Sequence, residues 1–291
     1  MLTRPRFLAL IAAAVLFVGT PAFAGPIFLT GHDPDFHSQD SAGAANLLRS
    51  GLNFVTGGTF DDGASTRFLW VESRISVPSG HRIGELGLTT LGLTLGTNYD
   101  RVNAAEFATV NLSNYTAIAI ASGFGGLLTR AELDALIARS TDIRNYVNAG
   151  GGLLALAECF PCGANLLGGA TPPDLFGFLP VDVSAIEPSL PFTVTAEGAA
   201  APFNLTNNDV NDPTHNSVGL IGGLTPLDRD QANQATTLAG DVRIGDGGFC
   251  DIPGTPPCET TGVPAPAGIV LVVSGLLGLA GVSRRRGRGA K

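Results

Sequence analysis

The clearest pattern of apolar and polar positions lies between residues 115 and 158, and it predicts a strand, a helix and a second strand. Residues 116–121 form a short apolar run without polar alternation, which is typical of a parallel strand covered on both faces. Thr129 and Glu132 have the spacing of a helix capping box, and apolar residues at helical intervals follow. Residues 153–157 form the second apolar run. This order of elements predicts an α/β layer fold with a parallel sheet.

Shorter apolar runs predict four more strands, one helix and a closing hairpin. The strands are expected at residues 26–30, 53–55, 68–71 and 192–195, and the helix at residues 41–52. The hairpin is expected to join residues 236–239 to residues 242–244 about Gly240 and Asp241. In open α/β sheets, ligands bind just beyond the carboxyl ends of the strands. The residues that follow each predicted strand are therefore the candidates for function.

The amino-terminal segment has the pattern of a secretory signal peptide. Arg4 and Arg6 precede an apolar run at residues 7–18, and the small residues Ala22 and Ala24 suit signal peptidase. The apolar run is short for a membrane span. We therefore expect cleavage after Ala24, with an uncleaved membrane anchor as the alternative.

The carboxyl-terminal segment, residues 263–291, combines a proline motif, an apolar run and an arginine cluster. They are Val263, Pro264 and Pro266, then residues 267–282, then Arg284, Arg285, Arg286 and Arg288. The apolar run is marginal as a permanent span, and the arginines would hold its end on the cytoplasmic side. The segment is expected to be a transient anchor for a processing enzyme or, alternatively, a simple membrane anchor. Residues 247–262 would be a linker, and residues 25–246 the folded domain.

The order of these three features resembles the PEP-CTERM sorting signal of Gram-negative bacteria, with Ala265 where the name-giving glutamate usually stands. The resemblance implies processing by signal peptidase and by an exosortase-type enzyme. It also implies a transient anchor in the inner membrane, followed by residence at the cell surface or in the extracellular matrix. Exopolysaccharide and biofilm are the partners that this family suggests.

The two terminal segments and the body between them differ in charge. The two tails carry seven of the 17 basic residues and none of the 25 acidic ones, which leaves a net charge of −15 between them. A body this acidic repels nucleic acid and anionic lipid. Nucleic acid is therefore excluded as a partner, and an exported protein is favoured.

The four cysteines form two close pairs, Cys159 with Cys162 and Cys250 with Cys258. In an oxidising compartment, two local disulfides are the first expectation. Pairing across the two clusters and a metal or redox site are the alternatives. The second pair has poor spacing for a zinc knuckle.

The run YVNAGGGLLALAE, residues 146–158, resembles the class I glutamine amidotransferase-like superfamily, especially its trehalose-utilisation-type branch. The resemblance implies a flavodoxin-like, doubly wound and mainly parallel sheet. In the amidotransferases the corresponding strand ends at a cysteine nucleophile, whereas this chain has Ala157 there and Cys159 two residues later. An alanine methyl group cannot attack a carbonyl, so the resemblance implies the fold without glutaminase chemistry. Glu158 is the carboxylate at this position.

Two histidine segments are the remaining candidates. His32, Asp33, Asp35 and His37 directly follow the first predicted strand, where the trehalose-utilisation-type proteins also have a Gly-His pair and a second histidine. Imidazole and carboxylate suit zinc and similar ions, but the aspartates could equally cap turns. His215 is the only late histidine, and the amidotransferases keep their catalytic histidine late in the domain. Its neighbours could also form a simple turn.

Two hypotheses follow. The first is an exported domain that has lost the nucleophile and binds a ligand, with carbohydrate as the expected class. The second is a metal-assisted hydrolase or isomerase acting on carbohydrate. In that case His32, His37 and His215 would be metal ligands or acid/base groups, Glu158 a catalytic carboxylate, and a divalent metal ion the cofactor. Clustering of these side chains around one cleft would favour the enzyme.

Overall fold

A computed structural model provides the fold of the chain. It describes residues 24–58, 67–156, 166–167, 174–181, 186–211, 216–245 and 248–250, and the structural statements below refer to these residues. The predicted signal peptide, apart from Ala24, and the predicted sorting segment lie outside them.

One eight-stranded sheet forms the centre of the described structure. Its strands are β1 (Pro26–Thr30), β2 (Phe68–Val71), β3 (Tyr99–Val102), β4 (Ala117–Ile120), β5 (Gly152–Ala155), β6 (Thr193–Val194), β7 (Thr225–Arg229) and β8 (Ala235–Asp241). The spatial order is β3-β2-β4-β5-β1-β8-β7-β6. Neighbours from β3 to β1 are parallel, and β8, β7 and β6 then pair antiparallel. The prediction of an α/β fold with a mostly parallel sheet is confirmed.

Eight helices surround this sheet in the described parts of the chain. They are α1 (Pro34–His37), α2 (Ala42–Thr56), α3 (Glu85–Thr90), α4 (Ala104–Phe107), α5 (Arg130–Ala138), α6 (Ser140–Asn148), α7 (Ala196–Ala199) and α8 (Asn207–Val210). A short 3-10 helix covers Leu112–Asn114. Glu132 accepts a hydrogen bond from the Thr129 N–H (3.2 Å), as the predicted capping box requires.

The strands bury both of their faces, which explains their continuous apolar sequences. Leu69 and Val71 of β2 point into one cluster, which contains the apolar residues of α5 and α6. Phe68 and Trp70 of the same strand point into a second cluster, which contains those of α2. Successive side chains of a strand face opposite sides, so one strand supplies two cores. The sheet is therefore covered by helices on both faces.

Three sequence predictions are corrected by the structure. The predicted strand at residues 53–55 is wrong, because α2 continues to Thr56 and buries Val55, and then ends at Gly57 with φ +72°. The predicted helix after Thr129 is two helices that meet at Arg139. The predicted closing hairpin is also wrong, because β8 continues to Asp241 between β1 and β7.

A second, two-stranded sheet follows β8. Strands β9 (Arg243–Gly245) and β10 (Gly248–Cys250) pair antiparallel, and β10 lies within the segment predicted to be linker. Asn148 at the end of α6 holds β9 through two bonds of 2.8 Å to Ile244, as acceptor from its N–H and as donor to its carbonyl. Ordered structure therefore extends at least to Cys250.

The topology brings many chain segments to one edge of the sheet. The parallel strands β1, β2, β4 and β5 all end at what we call the carboxyl edge. Thr30 at the end of β1 pairs with Thr237 near the start of β8, and Thr237 pairs with Asp228 near the end of β7. Residues that follow strands or begin β8 therefore meet there.

Candidate functional site

The carboxyl edge holds an unusual concentration of buried polar side chains. They are Thr30, His32, Asp33, Asp35, Glu72, Ser122, Asp228, Asp230, Thr236 and Thr237, none more than 5% exposed. Buried polar groups require hydrogen-bond partners to offset the loss of water. The edge is thus a connected polar network rather than an apolar core.

His32 is held in one orientation by a residue from the antiparallel half of the sheet. Its Nε2 lies 2.7 Å from Asp228 Oδ2, and both side chains are at most 5% exposed. The ring of Phe192 packs edge-on against the imidazole at 4.8 Å between centroids. Because a carboxylate only accepts, the proton of a neutral imidazole stays on Nε2 and the lone pair on Nδ1.

A closed ring of hydrogen bonds surrounds this pair. Asp228 Oδ1 accepts from the Thr237 N–H (2.7 Å), and the hydroxyls of Thr237 and Thr30 lie 3.0 Å apart. Thr30 Oγ1 in turn accepts from the His32 N–H (3.1 Å). The ring joins β1, β8 and β7, and so ties the parallel part of the sheet to the antiparallel part.

His37 is the more accessible of the two candidate histidines that the structure describes. Its side chain is 18% exposed, and its Nε2 lies 3.5 Å from Oδ1 of Asp33, the residue that immediately precedes α1. The carbonyl of Asp33 accepts from the N–H groups of Phe36 and His37, which is the backbone part of a helix start. The residues from His32 to His37 therefore form one compact unit, in which only Phe36 and His37 are partly exposed to solvent.

Asp35 is completely buried between three loops. Its Oδ2 accepts from the Ser122 N–H (3.0 Å) and its Oδ1 from the Phe36 N–H (3.1 Å). A Cβ at Gly84 or at Gly126 would lie 2.5 Å from Asp35 Oδ2, so these glycines make room for the carboxyl group. Burial raises the pKa of Asp35, and the hydrogen bonds from Ser122 and Phe36 oppose that rise.

Glu72 is a functional candidate that the sequence analysis missed. Its Oε1 accepts from the N–H groups of Gly84 (2.6 Å) and Leu127 (3.2 Å), and its Oε2 from Trp70 Nε1 (2.8 Å) and the Glu85 N–H (3.1 Å). The pKa of Glu72 is raised to about 7, mainly by burial and to a smaller extent by the nearby charge of Asp35. The Trp70 bond and the charge of Arg101 oppose this rise. Glu72 directly follows a predicted strand, and this position is the feature of the sequence that could have identified it as a candidate.

Several predicted residues lie outside the described structure. They are Ala157, Glu158, Cys159, Cys162, His215 and Cys258, together with the sorting residues Val263, Pro264, Pro266, Arg284, Arg285 and Arg286. The described chain reaches the carboxyl edge at Leu156, whose N–H donates to the Ile120 carbonyl (3.1 Å). Cys250 is disulfide-bonded, and its partner lies outside the described residues.

The metal hypothesis receives no ligand cluster from the described residues, which contain no group of three or more His, Cys, Asp or Glu side chains arranged to hold a metal ion. Within the same residues, no helix combines the length and apolar character needed to cross a membrane. No protein-family model, curated protein or solved structure matches the chain.

Proposed function

We propose that the chain is an exported protein that is sorted by a PEP-CTERM-type signal and acts by binding a ligand at the carboxyl edge. The observation that carries the binding proposal is the burial and hydrogen bonding of the acidic side chains at the carboxyl edge. Asp35 and Glu72 are fully buried, and backbone N–H groups from surrounding loops donate to both. Carboxyl groups held in this way fix the surrounding loops at the carboxyl edge, and a ligand there would contact the more exposed side chains that these loops carry.

The strand order supports a flavodoxin-like, glutamine amidotransferase-like assignment. Read from the edge strand, the order β3-β2-β4-β5-β1 corresponds to the order 2-1-3-4-5 of that fold when the strands are counted from β2. It differs in that the first strand of the chain, β1, takes the fifth place. The switch point of this order lies between β2 and β4. Glu72 and Ser122 follow these two strands, so the buried carboxyl network coincides with the place where such folds bind ligands.

Carbohydrate is the ligand class that we propose, in the form of a neutral matrix polysaccharide. The acidic body disfavours polyanions through charge repulsion. The family resemblance of the sorting segment points to exopolysaccharide. His37 is the proposed contact at the carboxyl edge, since it is the more exposed of the histidines on the α1 segment.

A second candidate, carbohydrate hydrolysis or isomerisation, is favoured by the His32–Asp228 pair. A carboxylate that accepts from one imidazole nitrogen orients the other nitrogen as a base or as a metal ligand. This candidate would use His32, His37 and His215, with a divalent metal ion. Measurement of metal content in the full chain and in the three histidine-to-alanine variants tests it. Stoichiometric metal that is lost in these variants would favour the enzyme over the binding protein.

Fractionation of cells that express the full chain tests the sorting proposal. Replacement of Arg284, Arg285 and Arg286 by serine should leave the chain unprocessed or misplaced, because the positive charges fix the orientation of the anchor. Replacement of the same residues by lysine keeps the charge and should preserve sorting. Equal distribution of both variants and the wild type would contradict the proposal.

Co-sedimentation with neutral exopolysaccharide tests the binding proposal. His37→Ala should reduce the bound fraction, and urea denaturation should show that the variant is still folded under the conditions of the binding assay. Thr141→Ala, at an exposed position on α6, provides the matched control and should bind as the wild type does. Unaltered binding by the His37 variant, or no binding by the wild type, would overturn a binding role for this edge.

A further inference from the structure

A separate cleft of about 410 Å³ lies at the opposite, amino edge of the sheet. Pro26 and the residues just before β4 and β5, Thr116 and Gly151, line it, so it opens where the parallel strands begin. Its volume is within the range of about 300–1,000 Å³ that is usual for small-molecule sites. The carboxyl-edge network is at the other end of the same strands, so the two sites are distinct.

None of the described side chains that line this cleft is charged. The neighbouring groove of about 500 Å³ along β3 differs, since Arg74, Asp100, Arg101 and Glu106 line it. An ionised ligand in the amino-edge cleft would find no side chain of opposite charge. The lining therefore favours an uncharged ligand.

Every hydroxyl group of the cleft already donates its proton within the protein. Tyr146 donates to the Tyr115 carbonyl (3.0 Å), and Tyr115 donates to Asp100 Oδ2 (2.9 Å). Ser113, Thr116 and Thr56 donate to oxygen atoms of the protein in the same way, at 2.9, 3.1 and 2.8 Å. A hydroxyl that has donated its single proton can only accept further bonds. A ligand must therefore bring the donors.

The two tyrosines add apolar surface to this ring of acceptors. A Cβ at Gly151 would lie 2.2–2.5 Å from ring atoms of Tyr146, so the glycine allows the ring to rest directly on the backbone that lines the cleft. An aromatic ring offers an apolar body beside its polar oxygen. The ligand is thus expected to have one apolar face as well as hydroxyl donors.

We propose that the amino-edge cleft binds a neutral, polyhydroxylated ring, such as one pyranose unit of a saccharide. Such a ring carries no charge, donates through several hydroxyl groups and presents C–H groups on one face. The proposal does not rest on binding at the carboxyl edge, because it uses different residues on the other side of the sheet.

Tyrosine-selective NMR of the full chain tests this proposal. The chain has three tyrosines, of which Tyr115 and Tyr146 line the cleft, whereas Tyr99 is fully buried and stacks on Phe68. Titration with maltose, cellobiose and lactose to millimolar concentrations should shift the first two ring signals in a saturable way and leave Tyr99 unchanged. Glucuronic acid, which is charged, should bind at least 10-fold more weakly.

Variants that block the cleft test whether the saccharide binds there. Ala149→Trp and Ser113→Trp place an indole at exposed positions that line the cleft, and each should weaken the saccharide response at least 10-fold. Ala138→Trp, at an exposed position of α5 outside the cleft, should respond as the wild type does. Absence of a saturable shift with all three disaccharides, or an unchanged response in both blocking variants, would overturn the proposal. If saccharide binding were lost in His37→Ala and kept in both blocking variants, the binding site would lie at the carboxyl edge, and the proposal for the amino-edge cleft would be overturned.

Discussion

His32 and Asp228 are separated by 196 residues in the sequence, yet His32 Nε2 and Asp228 Oδ2 lie 2.7 Å apart in a buried site. The pair joins the loop after β1 to the end of β7. Asp228 also accepts from the Thr237 N–H, so one carboxylate serves donors from two different segments. Its loss would leave both donors buried without this acceptor, which makes Asp228 a central residue of the junction between the two halves of the sheet.

Asp228→Ala should lower the free energy of unfolding by about 3 kcal/mol, since it removes the acceptor of two buried donors. Asp228→Asn should cost less, because the amide keeps one acceptor oxygen. Urea denaturation followed by circular dichroism measures both. Asp134→Ala is the control: its carboxylate pairs with Arg130, both side chains are more than half exposed, and its effect should be at most about 1 kcal/mol. Equal effects at the two positions would contradict the role of Asp228.

The sequence predicted the parallel strands better than the rest of the fold. Strands β1 and β2 have the predicted limits, β4 lies within its predicted run, and β5 overlaps its run but begins one residue earlier, at Gly152. The parallel edge strand β3 was not predicted. These strands are buried on both faces, so the demand for apolar residues is continuous and visible in the sequence. Strands β7 and β8 differ, because Asp228, Thr236 and Thr237 are polar although they are buried. Their burial depends on partners from distant segments, which a local pattern does not reveal.

The sequence pointed to the loop after β1 as a candidate, but it did not show which polar side chains the fold would bring together there. The loop from His32 to His37 was located because it follows a predicted strand. Glu72 occupies the equivalent position after β2 and was overlooked, because a single glutamate is most often exposed. The donors that allow its burial come from Gly84 and Leu127, in segments without a distinctive sequence.

The wrong prediction of a strand at residues 53–55 has another cause. Leu52 and Val55 continue the helical spacing of α2, and α2 packs these side chains against the sheet.

Gly84→Ala should destabilise the protein by about 2 kcal/mol, as overpacking of a tight site does. The new Cβ would lie 2.5 Å from Asp35 Oδ2 and 3.1 Å from Glu72 Oε1, and neither buried carboxyl group can move without loss of its backbone donors. Gly222→Ala is the matched control, because no atom lies within 4 Å of its Cβ position. Thermal denaturation should show a lower midpoint for the Gly84 variant only. A stable Gly84 variant would indicate that the carboxyl network is adaptable.

Reduction of the disulfide at Cys250 should lower the free energy of unfolding by about 2–4 kcal/mol, the usual contribution of such a bond. Urea denaturation with and without dithiothreitol, followed by the fluorescence of the single, fully buried Trp70, measures the change. A variant with all four cysteines replaced by alanine should not respond to the reductant. If the reductant does not change the free energy of unfolding of the wild type either, this bond does not stabilise the fold.

The buried carboxyl groups of Asp35 and Glu72 should make stability depend on pH. Both lie against Gly84, and burial raises both pKa values, that of Glu72 from an ordinary 4.5 to about 7. The folded protein therefore holds these protons more tightly than the unfolded chain does. The resulting stability is complete below the unfolded pKa and is lost as the pH rises through the folded pKa.

Glu72→Gln should flatten this dependence, because the amide does not titrate. For Glu72 alone, the wild type should lose about 3 kcal/mol of unfolding free energy as the pH rises from its ordinary pKa to about 7. The variant should lose much less over the same interval, although the amide N–H₂ faces backbone donors and lowers its stability at every pH. Urea denaturation at a series of pH values measures both slopes. Glu106→Gln, whose side chain is 42% exposed, should keep the wild-type slope, and an unchanged slope in Glu72→Gln would assign the titration to other groups.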